Sequence, residues 1–223
     1  MRLYDFPQSS SAWRVRIGLA LKGLEVERVL VDISRGASGL DQERSEYGAV
    51  NPARQVPVLE WQEGGETVRL SQSVAILEYL EQRFPAPALL PEGARERARV
   101  RQLVECVNAG IQPLQNSYVV ERVAGFGGDA QAWLEHFIGR GLRALETMVA
   151  GTPGPFLAGA SVTMADVFLV PQLFRARVHG VPIEGLDRLL TAEAACDELA
   201  AFQRARPERQ DGYSARFGSA ESE

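Results

Sequence analysis

The sequence contains very little lysine, histidine or cysteine among its 223 residues. Lys22 is the only lysine, and we attribute the excess of arginine over lysine to genome base composition rather than to function. His136 and His179 are too few for a convincing metal site or histidine relay. Cys106 and Cys196 lie far apart without a CxxC motif, which predicts two free thiols in a reducing compartment. We therefore expect no metal in this protein.

The sequence also lacks a long apolar run and an excess of positive charge. Its formal net charge is −5, which argues against a nucleic-acid or anionic-membrane surface. No apolar run approaches the roughly 20 residues that span a bilayer, and the opening "MRLYDF" lacks the apolar region of a signal peptide. Because 45% of the residues are hydrophobic, the chain can bury a core. We expect a cytoplasmic protein.

The first third of the chain alternates strand and helix patterns. Gly64 and Gly65 separate two short apolar runs, which is typical of a hairpin. Residues 34–50 are rich in glycine, serine and charge and predict a loop with a short helix. The expected strands are 2–6, 26–33, 56–61 and 66–70, and the expected helices are 12–22 and 73–84. The order β-α-β-(α)-β-β-α predicts a thioredoxin-like α/β layer with a mixed four-stranded sheet.

A proline-rich stretch, "FPAPALLPEG" at 84–93, ends this pattern and marks a domain boundary. Beyond it, apolar residues recur at helical spacing, and no strand pattern returns. Thr163 and Asp166 have the spacing of a capping box at the start of one of these helices, which makes Asp166 a structural residue. We predict an N-terminal domain at 1–84, a linker at 85–93, an all-helical domain at 94–210 and a frayed tail at 211–223.

Two stretches in the α/β layer carry backbone groups suited to a peptide ligand. Pro57 opens a strand but cannot donate to a sheet, so it needs a sheet edge or a cis bond after Val56. With a cis bond, the N–H and C=O of Val56 would face outward, where an extended peptide can pair with them. Gln72 and Ser73 start a helix, where free N–H groups attract a carboxylate. Ser73 as a plain N-cap is the simpler alternative.

Three consecutive serines, Ser9, Ser10 and Ser11, open the first helix in "SSSAWRVRIGLALKG". They can cap the helix, or they can stabilise a thiolate through the helix dipole and a donated hydroxyl hydrogen bond. Together these effects depress a thiol pKa by roughly one to two units, and each unit corresponds to about 1.4 kcal/mol in favour of the thiolate. Since no cysteine lies nearby in the sequence, the thiol would arrive with a ligand. A cysteine-containing peptide with a free carboxylate, such as glutathione, fits all three stretches.

The sequence resembles the zeta class of glutathione transferases, which includes the maleylacetoacetate and maleylpyruvate isomerases. The resemblance covers nearly all of residues 1–210. It rests on "SSSAWRVRIGLALKG", "NPARQVPVLE", "LSQSVAILEYLE", "PALLP", "AGIQPLQN" and "TMADVFLVPQ", in the family's order and spacing. It implies the glutathione transferase fold, with a thioredoxin-like domain before a helical one. It also implies glutathione as the cofactor and a homodimer as the assembly.

The resemblance further implies roles for individual residues. Ser9 would stabilise the glutathione thiolate, with Ser10 beside it and Ser11 where the family has a cysteine. The backbone of Val56, before the family's cis-proline Pro57, would pair with the cysteinyl unit of glutathione. For the rest of the site the family implies Gln72 and Ser73 at the γ-glutamyl end, Gln42 near the glycyl end, and Gln112, Asn116 and Ser117 over the glutathione and the second substrate.

Two arginines that the family uses for substrate carboxylates are absent. Gln8 stands just before the serines, and Val178 stands in the helix after "VPQ". Arg175 and Arg177 lie close by in sequence, and one of them could bind the carboxylates instead. The resemblance implies a glutathione-dependent cis–trans isomerase that acts on a maleylacetoacetate-like or other cis-enone substrate. The alternatives are a transferase that conjugates or dehalogenates small electrophiles and, third, a non-catalytic glutathione-fold binding protein.

Overall fold

The computed structural model describes residues 1–33 and 41–213, apart from the side chains of 41–45. The described residues form two compact units. The first comprises residues 1–87 and 204–213, and the second comprises residues 88–203.

The first unit is an α/β layer around a four-stranded mixed sheet. Its strands are β1 (Arg2–Asp5), β2 (Glu27–Leu30), β3 (Val58–Glu63) and β4 (Glu66–Ser71), and its helices are α1 (Ser10–Leu21), α2 (Asp41–Val50) and α3 (Ser73–Arg83). The sheet order is β2-β1-β3-β4, with β1 parallel to β2 and antiparallel to β3. The predicted fold class and element order of this layer are confirmed. The hairpin between β3 and β4 turns at Gly64 and Gly65, with φ of 59° and 85°.

The sheet has a hydrophobic cluster on each face because side chains alternate along a strand. Leu3 of β1 and Leu59 of β3 are cross-strand partners, and both are buried in one cluster with Ile76 of α3. The next residue along β3, Val58, belongs instead to the second cluster, where it packs with Tyr47 of α2. The first cluster packs α3 and the middle of α1, through Val15 and Leu19, against the sheet, and the second packs α2 together with Ala12 at the start of α1.

The second unit contains helices without strands in its described part, 88–203. The helical spacing of apolar residues expected beyond the linker is confirmed, since Val100, Leu103, Val104 and Val107 are buried on one face of a helix. Two short elements after it were not predicted, a 3₁₀ helix (Gln112–Gln115) and α5 (Ser117–Gly125). The longer helices are α4 (Ala94–Asn108), α6 (Ala130–Val149), α7 (Met164–Val178) and α8 (Asp187–Asp197), and α9 (Ala200–Ala205) follows.

The capping box at the start of α7 is present as predicted. Asp166 accepts hydrogen bonds from the Thr163 backbone amide at 2.8 Å and from the Leu157 amide at 2.8 Å. Its carboxyl group is fully buried, and burial raises its pKa. Asp166 is therefore a structural residue that closes the loop before α7.

Residues 204–213 belong to the α/β unit, although the sequence pattern assigned the chain up to 210 to the helical domain. The Arg16 side chain of α1 donates from Nε to the backbone oxygen of Ala205 at 3.1 Å. This contact joins the end of α9 to the layer at the start of the chain. A sequence pattern does not show such a contact, because it spans 189 positions.

Candidate active site

Three stretches singled out in the sequence meet at one end of the sheet. Tyr4 of β1 pairs with Val58 of β3, and Val58 pairs in turn with Ser71 of β4. The chain enters β3 directly after Val56–Pro57 and leaves β4 directly before Gln72–Ser73, while β1 leads at this same end into the serines. The register of three strands therefore brings together residues more than 60 positions apart.

Ser9 is the N-cap of α1. Its backbone is extended, with φ −72° and ψ 115°, and its Oγ accepts a hydrogen bond from the Ala12 amide at 3.2 Å. A hydroxyl group has two lone pairs and one donor hydrogen, so the Ser9 O–H can still donate while the oxygen caps the helix. Ser10 is buried and Ser11 is half-buried, in the first turn, where backbone amides have no acceptor within the helix. Capping and thiolate stabilisation are therefore compatible.

The Val56–Pro57 peptide bond is cis, as one of the two alternatives for Pro57 requires. Both side chains are buried, and Val56 lies before the first residue of the β3 ladder. The preceding carbonyl oxygen, that of Gln55, accepts from the Tyr47 hydroxyl at 2.9 Å and from Asn51 Nδ2 at 2.7 Å. Burial raises the pKa of Tyr47, which keeps this hydroxyl a donor. These bonds fix the turn that presents the Val56 backbone.

Gln72 occupies the N-cap position of α3 with φ of 73°, in the left-handed region that non-glycine residues rarely adopt. Such conformations persist where the surroundings impose them, and they concentrate at binding sites. The simpler alternative for Ser73, an N-cap, is wrong because Ser73 is the first helical residue. Its Oγ accepts instead from Nη1 of the fully buried Arg14 at 3.5 Å. Arg14 thus links α1 to the start of α3, which the sequence did not reveal.

The candidate residues of the helical unit surround the 3₁₀ helix. Gln112 Nε2 donates to Asn116 Oδ1 at 2.8 Å, and Asn116 occupies the N-cap position of α5, directly before Ser117, which is exposed. The adjacent Gln115 and Gln172 were not predicted. Both are buried and exchange two hydrogen bonds of 3.1 and 2.8 Å. They tie the 3₁₀ helix to α7.

The two arginines of α7 have different surroundings. Arg177 is exposed, and both of its terminal nitrogens bind the Glu193 carboxylate of α8, at 2.6 and 2.5 Å, which raises its pKa. Arg175 is half-buried, and its Nη2 lies 2.6 Å from His179 Nε2. Burial and then the charge of Arg175 lower the pKa of His179 to about 4, so a neutral imidazole accepts this hydrogen bond at neutral pH. Among the described residues, Arg175 is thus a cation without a carboxylate partner.

Comparison with known proteins identifies the family. A model of the glutathione S-transferase N-terminal domain matches residues 3–88, and one of the C-terminal domain matches residues 130–204. Maleylacetoacetate isomerase of Pseudomonas aeruginosa is 38% identical over 94% of this chain and 97% of its own length. The solved structure of a maleylpyruvate isomerase, described as a bacterial zeta-class glutathione S-transferase, is 36% identical, with a TM-score of 0.86, and covers 96% of this chain and 100% of its own.

The chain belongs to the zeta-class glutathione transferase family. Another member, the maleylacetoacetate isomerase of Anaeromyxobacter dehalogenans 2CP-1, is 47% identical, with a TM-score of 0.84. The match covers 96% of this chain and 97% of the other, whose active site holds dicarboxyethyl glutathione and citrate. The glutathione transferase fold expected from the sequence is therefore confirmed.

The remaining candidate residues of this zeta-class chain are Gln8 and Gln42. Gln8 is half-buried directly before the cap residue Ser9. Gln42 belongs to α2, and its side chain lies outside the described residues. The described part of the chain contains no cluster of three or more metal-binding side chains and no helix long and apolar enough to cross a membrane.

The two cysteines are free thiols, as the sequence predicted. Cys106 is half-buried and Cys196 is fully buried, and burial raises the pKa of both. Such thiols remain protonated at neutral pH, which makes them poor nucleophiles.

Proposed function

We propose that this protein is a glutathione-dependent cis–trans isomerase of maleylacetoacetate-like or other cis-enone substrates. The observation that carries the proposal is the geometry of Ser9, whose oxygen caps α1 while its O–H is still able to donate. It lies at the sheet end where Val56–Pro57 and Gln72–Ser73 also lie. This end of the sheet therefore offers a hydroxyl donor for a thiolate, backbone groups for a peptide and a helix start for a carboxylate.

In this proposal the α/β unit binds glutathione. Ser9 donates a hydrogen bond to the thiolate. The dipole of α1, whose first turn contains Ser10 and Ser11, further stabilises the negative charge of the sulfur. The Val56 backbone before Pro57 pairs with the cysteinyl unit. The γ-glutamyl carboxylate binds at the start of α3 through Gln72 and Ser73. The glycyl end lies near Gln42. The residues of the helical unit that contact glutathione and the second substrate are Gln112, Asn116 and Ser117.

The reaction is a reversible addition. The thiolate sulfur forms a bond to one carbon of the cis double bond, and the displaced electron pair moves onto the conjugated carbonyl oxygen as an enolate. Rotation about the former double bond follows. The enolate pair then returns, the carbon–sulfur bond breaks, and the trans product leaves with the thiolate restored. A lower thiol pKa accelerates the first step by raising the thiolate fraction at neutral pH.

Arg175 is the residue that we assign to a substrate carboxylate. Its charge has no carboxylate partner among the described residues, whereas Arg177 is bound to Glu193. A guanidinium group binds a carboxylate through two parallel hydrogen bonds. The multiply charged ligands in the Anaeromyxobacter relative support a dicarboxylate substrate here.

An absorbance assay with maleylacetone tests the proposal. Purified protein should isomerise this analogue rapidly when glutathione is present and not when it is omitted. If glutathione binds but no isomerisation follows, the conjugation or dehalogenation of small electrophiles takes its place. That alternative is favoured by Gln8 and Val178, which stand where the resemblance expects arginines.

A titration of bound glutathione separates both enzymatic functions from a non-catalytic one. An ordinary thiol pKa in the complex would indicate a binding protein rather than an enzyme. The proposal also includes a cytoplasmic homodimer, as the resemblance implies. Light scattering of the purified protein should give twice the mass of the chain.

A further inference from the structure

Arg16 is a buried arginine nearly two turns into α1, with only 5% of its surface exposed. All of its guanidinium nitrogens donate hydrogen bonds. Nη1 donates to Asp5 Oδ1 at 2.6 Å and to the Phe6 oxygen at 3.4 Å, Nη2 to the Pro7 oxygen at 2.9 Å, and Nε to the Ala205 oxygen at 3.1 Å. Arg16 therefore holds the end of β1, the loop after it and the end of α9.

Two of these acceptors belong to the loop that carries Ser9. The Ser9 amide donates to the Phe6 oxygen at 3.0 Å, so that this oxygen accepts from both Ser9 and Arg16. The Pro7 oxygen is the next acceptor, and one residue separates Pro7 from Ser9. A planar guanidinium group can hold two carbonyl oxygens in fixed directions, which a lysine ammonium group cannot do.

The charge of Arg16 is balanced by the fully buried Asp5. Arg28 of β2 binds the same carboxylate, with Nε at 2.8 Å and Nη2 at 2.5 Å. Burial lowers the pKa of Arg16 to about 10, so Arg16 stays charged at neutral pH. Buried ion pairs contribute little net stability relative to apolar side chains. The presence of an arginine at this buried position is therefore better explained by the geometry that it imposes on the loop than by a contribution to the stability of the protein.

We propose that Arg16 is a positioning residue for thiol activation, which acts by clamping the Phe6–Pro7 carbonyls and thereby fixing the direction of the Ser9 hydroxyl. The inference rests on the proposed function, since it presumes that Ser9 donates to the glutathione sulfur. A small change in the direction of this donor weakens the hydrogen bond to the thiolate. The neutral thiol loses less stabilisation than the thiolate does, so the pKa of bound glutathione rises.

The test compares Arg16→Lys with the matched control Arg28→Lys. Both variants keep one positive charge that can pair with Asp5. Only Arg16→Lys loses the fork on the two loop carbonyls, because the hydrogen bonds of Arg28 within the described part of the chain end on Asp5. The readout is the pKa of glutathione bound to the full-length protein, measured from the ultraviolet absorbance of the thiolate.

We expect Arg16→Lys to raise this pKa by about one unit, which lowers the thiolate fraction about tenfold at pH values below it. Arg28→Lys should leave it close to the wild-type value. The affinity for S-methylglutathione, which has no thiol to ionise, should stay within about twofold in both variants. Equal shifts in the two variants, or no shift in Arg16→Lys, would overturn the positioning role.

Failure of the proposed function gives a different result. Bound glutathione would then have an ordinary thiol pKa already in the wild-type protein. If Arg16→Lys does not fold, Asp5→Asn replaces it, because asparagine keeps an acceptor oxygen but loses the charge that orients Arg16. A pKa shift in Asp5→Asn no larger than that in Arg28→Lys would then overturn the proposal.

Discussion

Arg177 is bound to Glu193 by two hydrogen bonds of 2.6 and 2.5 Å, so its guanidinium group already binds a carboxylate and is not available for that of a substrate. Arg175 lies two residues earlier, roughly 200° around the helix axis. There it contacts the neutral His179 rather than an acid. Two arginines that are equivalent in the sequence therefore differ in the one property that matters for binding an anion.

Arg175→Met should lower kcat/KM for a dicarboxylate substrate by about 10- to 100-fold. Hydrogen bonds to charged groups contribute about 1.5–3 kcal/mol, which is the basis of this range. A cis-enone without a carboxylate should be much less affected, and Arg177→Met should retain wild-type rates with both substrates. Steady-state kinetics with the two substrates provides the measurement. Equal losses in Arg175→Met with both substrates would argue against carboxylate binding.

Ser9→Ala should lower kcat far more than it lowers the affinity for glutathione. We expect a loss of about 10- to 100-fold near neutral pH, from a rise of roughly one to two units in the pKa of the bound thiol. The variant also loses a helix cap, which costs about 1 kcal/mol. Asp129→Ala is the matched control, because Asp129 caps α6 by accepting from the Ala132 amide at 2.9 Å. A loss of glutathione binding with unchanged turnover would contradict the thiolate role.

Gln8→Arg should improve dicarboxylate substrates by lowering their KM. The change restores a guanidinium group directly before Ser9, where the resemblance expects one. Gln8→Met is the control, since it has a similar length and no charge. No change in KM for Gln8→Arg would show that the pocket binds dicarboxylates elsewhere or not at all.

His179 should titrate with a pKa near 4, lowered by its burial and by Arg175. Between pH 6.5 and 4 the unfolded chain binds a proton at this residue and the folded protein does not, so the free energy of unfolding falls as the pH falls. Proton NMR can follow the imidazole directly, because the chain has only two histidines. His179→Phe should lose that resonance, and its melting temperature should fall less steeply over this range. A titration near 6.5 would show that the side chain is solvated.

Lys22→Met should destabilise the protein by about 3–5 kcal/mol in urea unfolding, because it removes one partner of a buried ion pair, the cation that binds the Glu81 carboxylate. The only lysine of the chain is buried and donates to Glu81 at 2.8 Å and to the Phe84 and Pro87 oxygens. Replacing Glu81 by leucine as well should recover part of the loss. Arg2→Met, which removes the exposed pair with Glu27, should cost less than about 1 kcal/mol.

Local signals were sufficient for much of the fold. Gly64 and Gly65 fixed the hairpin because both need a positive φ, and the Thr163-x-x-Asp166 spacing located the start of α7. The cis bond before Pro57 was only one of two readings, since a proline also fits a sheet edge. The N-cap alternative for Ser73 was wrong because Gln72 occupies that position, and local spacing could not show the hydrogen bond between Ser73 and Arg14, which is 59 positions away.

The sequence by itself determined the family, the element order of the α/β layer and the serines at the helix start, because periodicity, turn residues and caps act over a few neighbouring positions. Only the tertiary structure distinguished Arg175 from Arg177 and placed Arg14 and Arg16 in the interior. From the sequence alone, a charged side chain is expected at the protein surface, because burying a charge without a partner is costly. Their partners, such as Glu193 for Arg177 and Asp5 for Arg16, are supplied by the fold.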